Sequence, residues 1–463
     1  MRKAIIVLSF FLAGYCIIPF IWATMEPDSS YYLKIAHNMV NGAAFFKDIG
    51  CGYTPLGMYI YSLPLYINPE LSIRFLQVFQ LVIVAIHCLL FYKILAQFQL
   101  SRNQKILFTL ISIVALMTHQ GNRFLLEPIV LLFQLATIFF IQKWQSSEKT
   151  QYLFVAGIAL FLAFFSKQYA LFIAPGIAYW LFTNSKNIKY FFINSLIFSA
   201  GVITVLCITG FFNYYQHQIS PIEFVQRLLG LEYLSGDEII TGANYSVKKF
   251  FRSFNRFNFE FPIFAAFILF RNKIKISWKN ENFIWILFAL GSMAQLYFAG
   301  YRHYYQLIIP YLLLAFIALI RKFDTSEKQL RLLSYGFIYM ILLLSVRFSV
   351  EVARRIKQDK NQVAIVNQLD KLDLIGKPVY LHSIRPSHYF RAKLESPNLA
   401  QIGYKYPTEL KPETIHRLMP VGTYIIADTH YRSNPLFSSK YKLVAPITDR
   451  RYGEMYVLQK INN

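Results

Sequence analysis

YFFINSLIFSAGVITVLCITGFF, residues 190–212, carries no charged side chain over a length that suits the roughly 20 residues an α-helix needs to cross a bilayer core. Comparable apolar runs lie near residues 4–23, 71–97, 106–118, 124–142, 152–166, 169–183, 255–270, 282–299, 304–320 and 331–349, about eleven in all. The whole chain agrees, with 56 % hydrophobic and only 15 % charged residues. In lipid every backbone N–H and C=O must be satisfied within its own segment, so these runs read as helices. The expected fold class is an all-α polytopic membrane protein with about 11 transmembrane helices.

The formal net charge of +23 would suggest a nucleic-acid partner in a soluble protein, so its distribution matters. Residues 351–463 hold 18 Lys and Arg against 10 Asp and Glu, a net of +8, which leaves +15 of the +23 for the apolar portion. Much of that excess sits in short loops such as Arg271-Asn-Lys-Ile-Lys275 and Arg321-Lys322, where the positive-inside rule accounts for it. No nucleic-acid partner is expected. Cys16, Cys51, Cys88 and Cys207 form no CxxC or paired spacing and read as small buried hydrophobes. Met1-Arg2-Lys3 resembles the start of a signal peptide, but the apolar run behind it is long for one, and an uncleaved first helix is expected.

Alternate loops carry the basic residues. With the N-terminus inside, Arg102 and Lys105, Lys143 and Lys149, Lys186 and Lys189, Arg271 to Lys279, and Arg321 to Arg331 all fall on the cytoplasmic face. The outer face then receives residues 24–70, the turns at 118–123, 166–168 and 300–303, a second long loop over 213–254, and the C-terminal segment. Two domains follow: a membrane domain over 1–350 and an extracytoplasmic domain over 351–463. In the latter, Pro378–Leu381, Thr423–Ala427 and Met455–Leu458 read as strands between turn residues, giving a small α/β or α+β fold. In the outer loops, Tyr32, Leu33, Ala36, Met39 and Val40 share a helical stripe ending at Gly42. Ser220-Pro-Ile-Glu223 reads as a capping box before Phe224, Leu228 and Leu229 on one apolar side. Both segments suit interfacial helices.

Only 14 acidic residues precede position 351, and Glu26, Asp28, Asp48 and Glu70 share the first outer loop. A partly desolvated Asp28 suits a general base, whereas the local alternative is an N-cap of a helix over 29–42. Glu127, in Arg123-Phe-Leu-Leu-Glu-Pro128, opens the fourth span, with Arg123 one turn earlier as its expected partner. The alternative for Glu127 is a helix-start carboxylate beside the positive end of the dipole. Lys167 lies on the outer side, where topology asks for no cation, and suits a dedicated anion site, with snorkelling to lipid phosphates as the alternative. Arg302 and His303 repeat that pattern before Tyr304 and Tyr305, which otherwise read as an aromatic belt.

Acids and cations at one rim fit a lipid-linked phosphate held by Lys167 and Arg302 while a carboxylate deprotonates an attacking acceptor. Phosphate leaves as a stable anion, so charge stabilisation replaces a general acid. A divalent cation on Asp28, Asp48 or Glu127 is compatible with this arrangement but is not required by the spacing. No nucleotide-binding glycine motif is present, so an activated donor would arrive in the membrane.

The ordered set Asp28-Ser-Ser-Tyr-Tyr, Tyr53-Thr-Pro-Leu56, Leu126-Glu-Pro128, Ala163-Phe-Phe-Ser-Lys-Gln168 with Ala174-Pro175, and Tyr301-Arg-His-Tyr-Tyr-Gln306 with Pro310 resembles GT-C type membrane glycosyltransferases. Within them it is most similar to the family-39-related group of protein O-mannosyltransferases, lipid A aminoarabinose transferases and RgtA/B/C/D-like enzymes, over about the first 320 residues. The resemblance implies transfer of a sugar from a polyprenyl-phosphate donor to a lipid, glycan or protein acceptor, generally with inversion, in a bacterial plasma membrane. It implies Asp28 as base, Glu127 as the second acidic position and Lys167 as a phosphate contact; Tyr53, Arg123, Arg302, His303 and Tyr304 are expected near the substrate. Many members carry Asp-Glu where this chain has Asp28-Ser29; Asp48 or Glu26 would have to supply the missing carboxylate. The alternative from another class is a lipid-linked sugar flippase without chemistry. Transporters tend to place ionisable groups near the midplane within repeated halves, a pattern this sequence lacks.

Overall fold

The computed structural model describes residues 5–14, 27–49, 54–67, 73–229, 283–298, 304–320, 363–381, 419–449 and 453–461, less single positions such as 11 and 122, with scattered residues between 346 and 361 and between 413 and 417. The expected spans near 255–270 and 331–349 lie outside the described residues, as do Glu26, Tyr53, Arg302 and His303. By contacts the chain divides into two units, Met1–Ile18 with Gln77–Val350, and Pro19–Leu76 with Glu351–Asn463.

Helix α1, Pro27–Val40, buries the expected stripe of Tyr32, Leu33, Ala36 and Met39 and packs on α3. Gly42 ends it at φ +95, and the Ala43 N–H reaches back to the Asn38 carbonyl, the bond that a left-handed terminal residue makes available. A single-turn helix α2, Phe45–Asp48, precedes α3, Leu56–Ile67. Because the backbone at Asp28 is helical and follows Pro27, Asp28 lies inside α1 rather than at its N-cap.

The larger unit is a helical bundle. Its described helices include α4 (Ile73–Ile94), α5 (Arg102–Thr118), α6 (Leu126–Ser147), α7 (Gln151–Phe164), α8 (Ala174–Asn184), α9 (Ile188–His217), α10 (Pro221–Leu229), α11 (Phe283–Phe298) and α12 (Tyr305–Ile320). Three segments here, Val78–Phe98, Leu126–Ser147 and Ile188–His217, are long and apolar enough to cross a membrane. The 30 residues of α9 span ~45 Å, more than the hydrocarbon core needs. Phe192, Leu196, Ile203, Ile208 and Phe211 are all exposed on it, an apolar surface suited to lipid. Cys207 is exposed there too and Cys88 is half-buried, so neither is the buried hydrophobe expected of it. The buried side of α9 meets α7 at Gly157 and Gly201. An added Cβ on either would stand 1.9 Å from the Phe198 carbonyl oxygen or 2.1 Å from that of Phe154, so the two backbones touch, as small residues permit in membranes.

The apolar run over 169–183 does not form one helix. A 3-10 turn, Gln168–Ile173, comes first, and α8 starts only at Ala174 because Pro175 favours the first turn. In α10 the Ser220 hydroxyl accepts from the Glu223 N–H, but the Glu223 carboxylate turns to Arg227 at 2.7 Å instead of closing the box. Phe224 and Leu228 are buried as expected, whereas Leu229 is exposed with Ile222 and Val225.

In the C-terminal segment, β1 (Val379–Leu381), β2 (Tyr424–Asp428), the short helices α13 (Thr429–Arg432) and α14 (Pro435–Lys440), β3 (Tyr441–Asp449) and β4 (Gly453–Lys460) build a four-stranded sheet in the order β1-β2-β4-β3. The first pair is parallel and the other two antiparallel. Each of the three expected strands is present. The unexpected one, β3, carries Pro446 and lies on the sheet edge, where a missing backbone donor costs least. Ile365 and Leu369 from the helical turns before β1 cover one face over Val379, Ile426 and Val457.

Candidate functional site

Helix α6 opens on Leu126-Glu127-Pro128. Proline fits a first helical turn, and Glu127 meets the positive end of the helix dipole. Helix α7 stops at Phe164, the chain extends at Lys167 (φ −167, ψ 134), and the 3-10 turn follows. This geometry aims the Lys167 side chain at α6, where Nζ donates to Glu127 Oε1 at 2.5 Å. Both side chains are only 1 % exposed. Two opposite charges have thus left water together, an arrangement stable only while both partners are present.

Aromatic rings close over the ammonium. Nζ lies 4.5 Å from the centroid of Tyr304 and 5.7 Å from that of Tyr169, and the two rings meet edge to face at 5.6 Å. Ring quadrupoles favour a desolvated cation at such distances. Lys167 therefore does not snorkel to the surface, and Tyr304 is buried rather than part of an interfacial belt.

Buried amides hold the parts in place. Gln134 of α6 donates to the Ala170 carbonyl at 3.0 Å and accepts from the Tyr311 hydroxyl at 3.1 Å, tying the turn that carries Lys167 to both α6 and α12. Gly291 lets α11 approach the same turn so closely that a Cβ would stand 2.1 Å from the Phe172 carbonyl oxygen. Gln306 donates to the His119 carbonyl at 2.7 Å, the His119 and Tyr305 rings lie 5.2 Å apart, and Gln80 donates to the Gly121 carbonyl at 2.9 Å. His87 meets the Pro128 carbonyl at 2.6 Å.

The turns at 119–125 and 165–168 and the start of α12 thus converge at one end of the bundle, in line with the grouping inferred from alternate basic loops. Arg123 is buried in the same turn region, and Lys167 is bonded to Glu127. Asp28 and Asp48 have helical backbones in α1 and α2, in the other unit. Among the described residues no three His, Cys, Asp or Glu side chains converge as a metal site would require. The sequence alone assigned no role to Gln134, His119, Tyr169 or Tyr311, and Gln306 stood only as the end of a motif. Their signal was a polar group within or next to an otherwise apolar span.

No family model matches the sequence, and no curated relative matches it. Among solved structures, ArnT from Cupriavidus metallidurans in the apo state is similar with a TM-score of 0.60 at 11 % identity, over 97 % of either chain. The same protein bound to undecaprenyl phosphate is similar with a TM-score of 0.60 at 10 % identity, over 99 % of this chain and 98 % of that one. Along nearly its whole length this chain has the fold of ArnT.

Proposed function

We propose that this protein is a membrane glycosyltransferase that moves a sugar from a polyprenyl-phosphate-linked donor to an acceptor on the outer face of a bacterial plasma membrane, with inversion and with Asp28 as general base. The observation that carries the reading is the buried Lys167–Glu127 pair under Tyr304 at one end of an ArnT-like bundle. The undecaprenyl phosphate bound by ArnT supports the donor class.

In this reaction the acceptor O–H or N–H gives its proton to Asp28 as its lone pair attacks the anomeric carbon. The bond from that carbon to the phosphate oxygen breaks, and polyprenyl phosphate leaves with the electron pair and one more negative charge. The Lys167 ammonium offsets that charge, Glu127 aims it, and Tyr304 must move for phosphate to reach it. Arg123, Arg302, His303 and Tyr53 complete the substrate contacts. The N-terminus is cytoplasmic and the sheet-bearing segment extracytoplasmic.

The test is transfer of radiolabelled sugar from cell-derived polyprenyl-phosphate donors in membranes holding equal amounts of wild type and Asp28→Asn. Loss of transfer with undecaprenyl phosphate still bound is expected. Equal transfer by the two proteins would reject Asp28 as the base, and release of no polyprenyl phosphate by the wild type would reject the transferase.

A further inference from the structure

At the end of the bundle away from Glu127, a cavity of about 630 Å³ opens between α4, α6, α8 and α11. Glu127 and Lys143 are separated by 16 residues of one helix, or ~24 Å, so this cavity is a different place from the site above. Its floor is aromatic: Trp285 meets Phe98 at 5.2 Å and Trp180 at 5.3 Å, and all three are buried.

The rim is cationic and amide-bearing. Lys93 and Lys143 line it, and none of the described lining residues is acidic. Lys143 lies over the Phe139 ring at 5.7 Å, which leaves its ammonium donors available. Nearby Lys186, outside the cavity, is by contrast neutralised by Glu148 at 2.9 Å. Two rim amides are already fixed in place: Gln142 donates to the Ile94 carbonyl, while Gln145 donates to Asn184 and accepts from the Trp180 ring N–H. Each such amide retains a second N–H for a ligand.

One further feature selects the ligand. Val78, Val82, Ile86 and Leu89 are exposed on α4, and with Lys93 they fall within an arc of about 80° at 3.6 residues per turn. An apolar stripe along a membrane-crossing segment therefore ends at the cationic rim, the outline of an acyl chain below a charged headgroup. We infer that this cavity binds the phosphodiester headgroup of an anionic phospholipid, with Lys93 and Lys143 neutralising it and α4 receiving an acyl chain.

The test is native mass spectrometry of the full chain in detergent, titrated with phosphatidylglycerol and, separately, zwitterionic phosphatidylcholine. Lys93→Gln/Lys143→Gln should lower the phosphatidylglycerol adduct by about tenfold or more, since a basic residue near anionic lipid contributes about 1 kcal/mol. A control pair at the same end but off the cavity, Lys149→Gln/Lys189→Gln, should leave it within about twofold of wild type. Equal losses in the two variants would reduce the effect to general surface charge and overturn the site, as would an unchanged adduct in the first variant. Displacement of the lipid by millimolar inorganic phosphate would overturn the lipid in favour of a soluble phosphate ligand.

Discussion

Lys167 and Glu127, 40 positions apart in the chain, share one buried hydrogen-bonded ion pair with neither side chain open to solvent. Removing either partner leaves the other charge in the interior without this bond. Lys167→Met or Glu127→Leu alone should destabilise the protein by about 3–5 kcal/mol, whereas the double variant should cost much less than the sum. Denaturation in detergent of the two singles and the double checks this, and additive losses would contradict a coupled pair.

Gln134 holds the turn that presents Lys167. Gln134→Leu leaves the Ala170 carbonyl and the Tyr311 hydroxyl without this partner, and should cost about 1–3 kcal/mol. Tyr311→Phe removes one of the two bonds and should cost less. Melting temperatures of the two variants give the order directly.

Gly291 has no room for a side chain. Gly291→Ala must push α11 away from the Phe172 carbonyl, and the strain falls on the turn over 168–173. Hydrogen exchange should rise in that turn more than in α7 or α9. A uniform rise would mean that the clash is absorbed elsewhere.

The second carboxylate that the Asp28-Ser29 sequence lacks should come from Asp48 or Glu26. In transfer assays, alanine at one of these positions should lower turnover about 100-fold or more, the scale of a lost acid–base group, and alanine at the other should be tolerated. Tolerance at both positions would mean that the reaction runs with a single outer-loop carboxylate.

His416, in the C-terminal segment, has its pKa lowered from 6.5 by burial first and then by Lys460 and Lys440. The unfolded chain then takes up a proton before the folded one does. Its contribution to stability is complete above about pH 6.5 and declines as pH falls from there towards the lowered folded value. An NMR titration should place the His416 midpoint below 6.5, and His416→Gln should flatten the pH dependence of stability in that window.

Much of the fold was legible locally. Apolar run length marked α4, α6, α7, α9, α11 and α12 to within a few residues at most ends, and turn residues bracketed β1, β2 and β4. The misses have physical causes. Residues 169–183 were apolar enough for one helix, but Pro175 set a new helix start that hydropathy does not register. Strand β3 was hidden because Pro446 argues against a strand unless the strand lies at an edge, and edge position belongs to the whole sheet.

The sequence by itself determined the class of the protein, a lipid-embedded helical bundle with a small sheet, and singled out Glu127, Lys167 and Tyr304. Those features are local: a charge within an apolar run is costly wherever the run ends up. Only the tertiary structure decided that Glu127 takes Lys167, that Tyr304 covers the ammonium, and that Gln134 and Gly291 set the turn beneath it. Such pairings depend on which helix faces pack together. Helix packing is governed by contacts between residues tens to hundreds of positions apart, which a period of 3.6 residues does not encode.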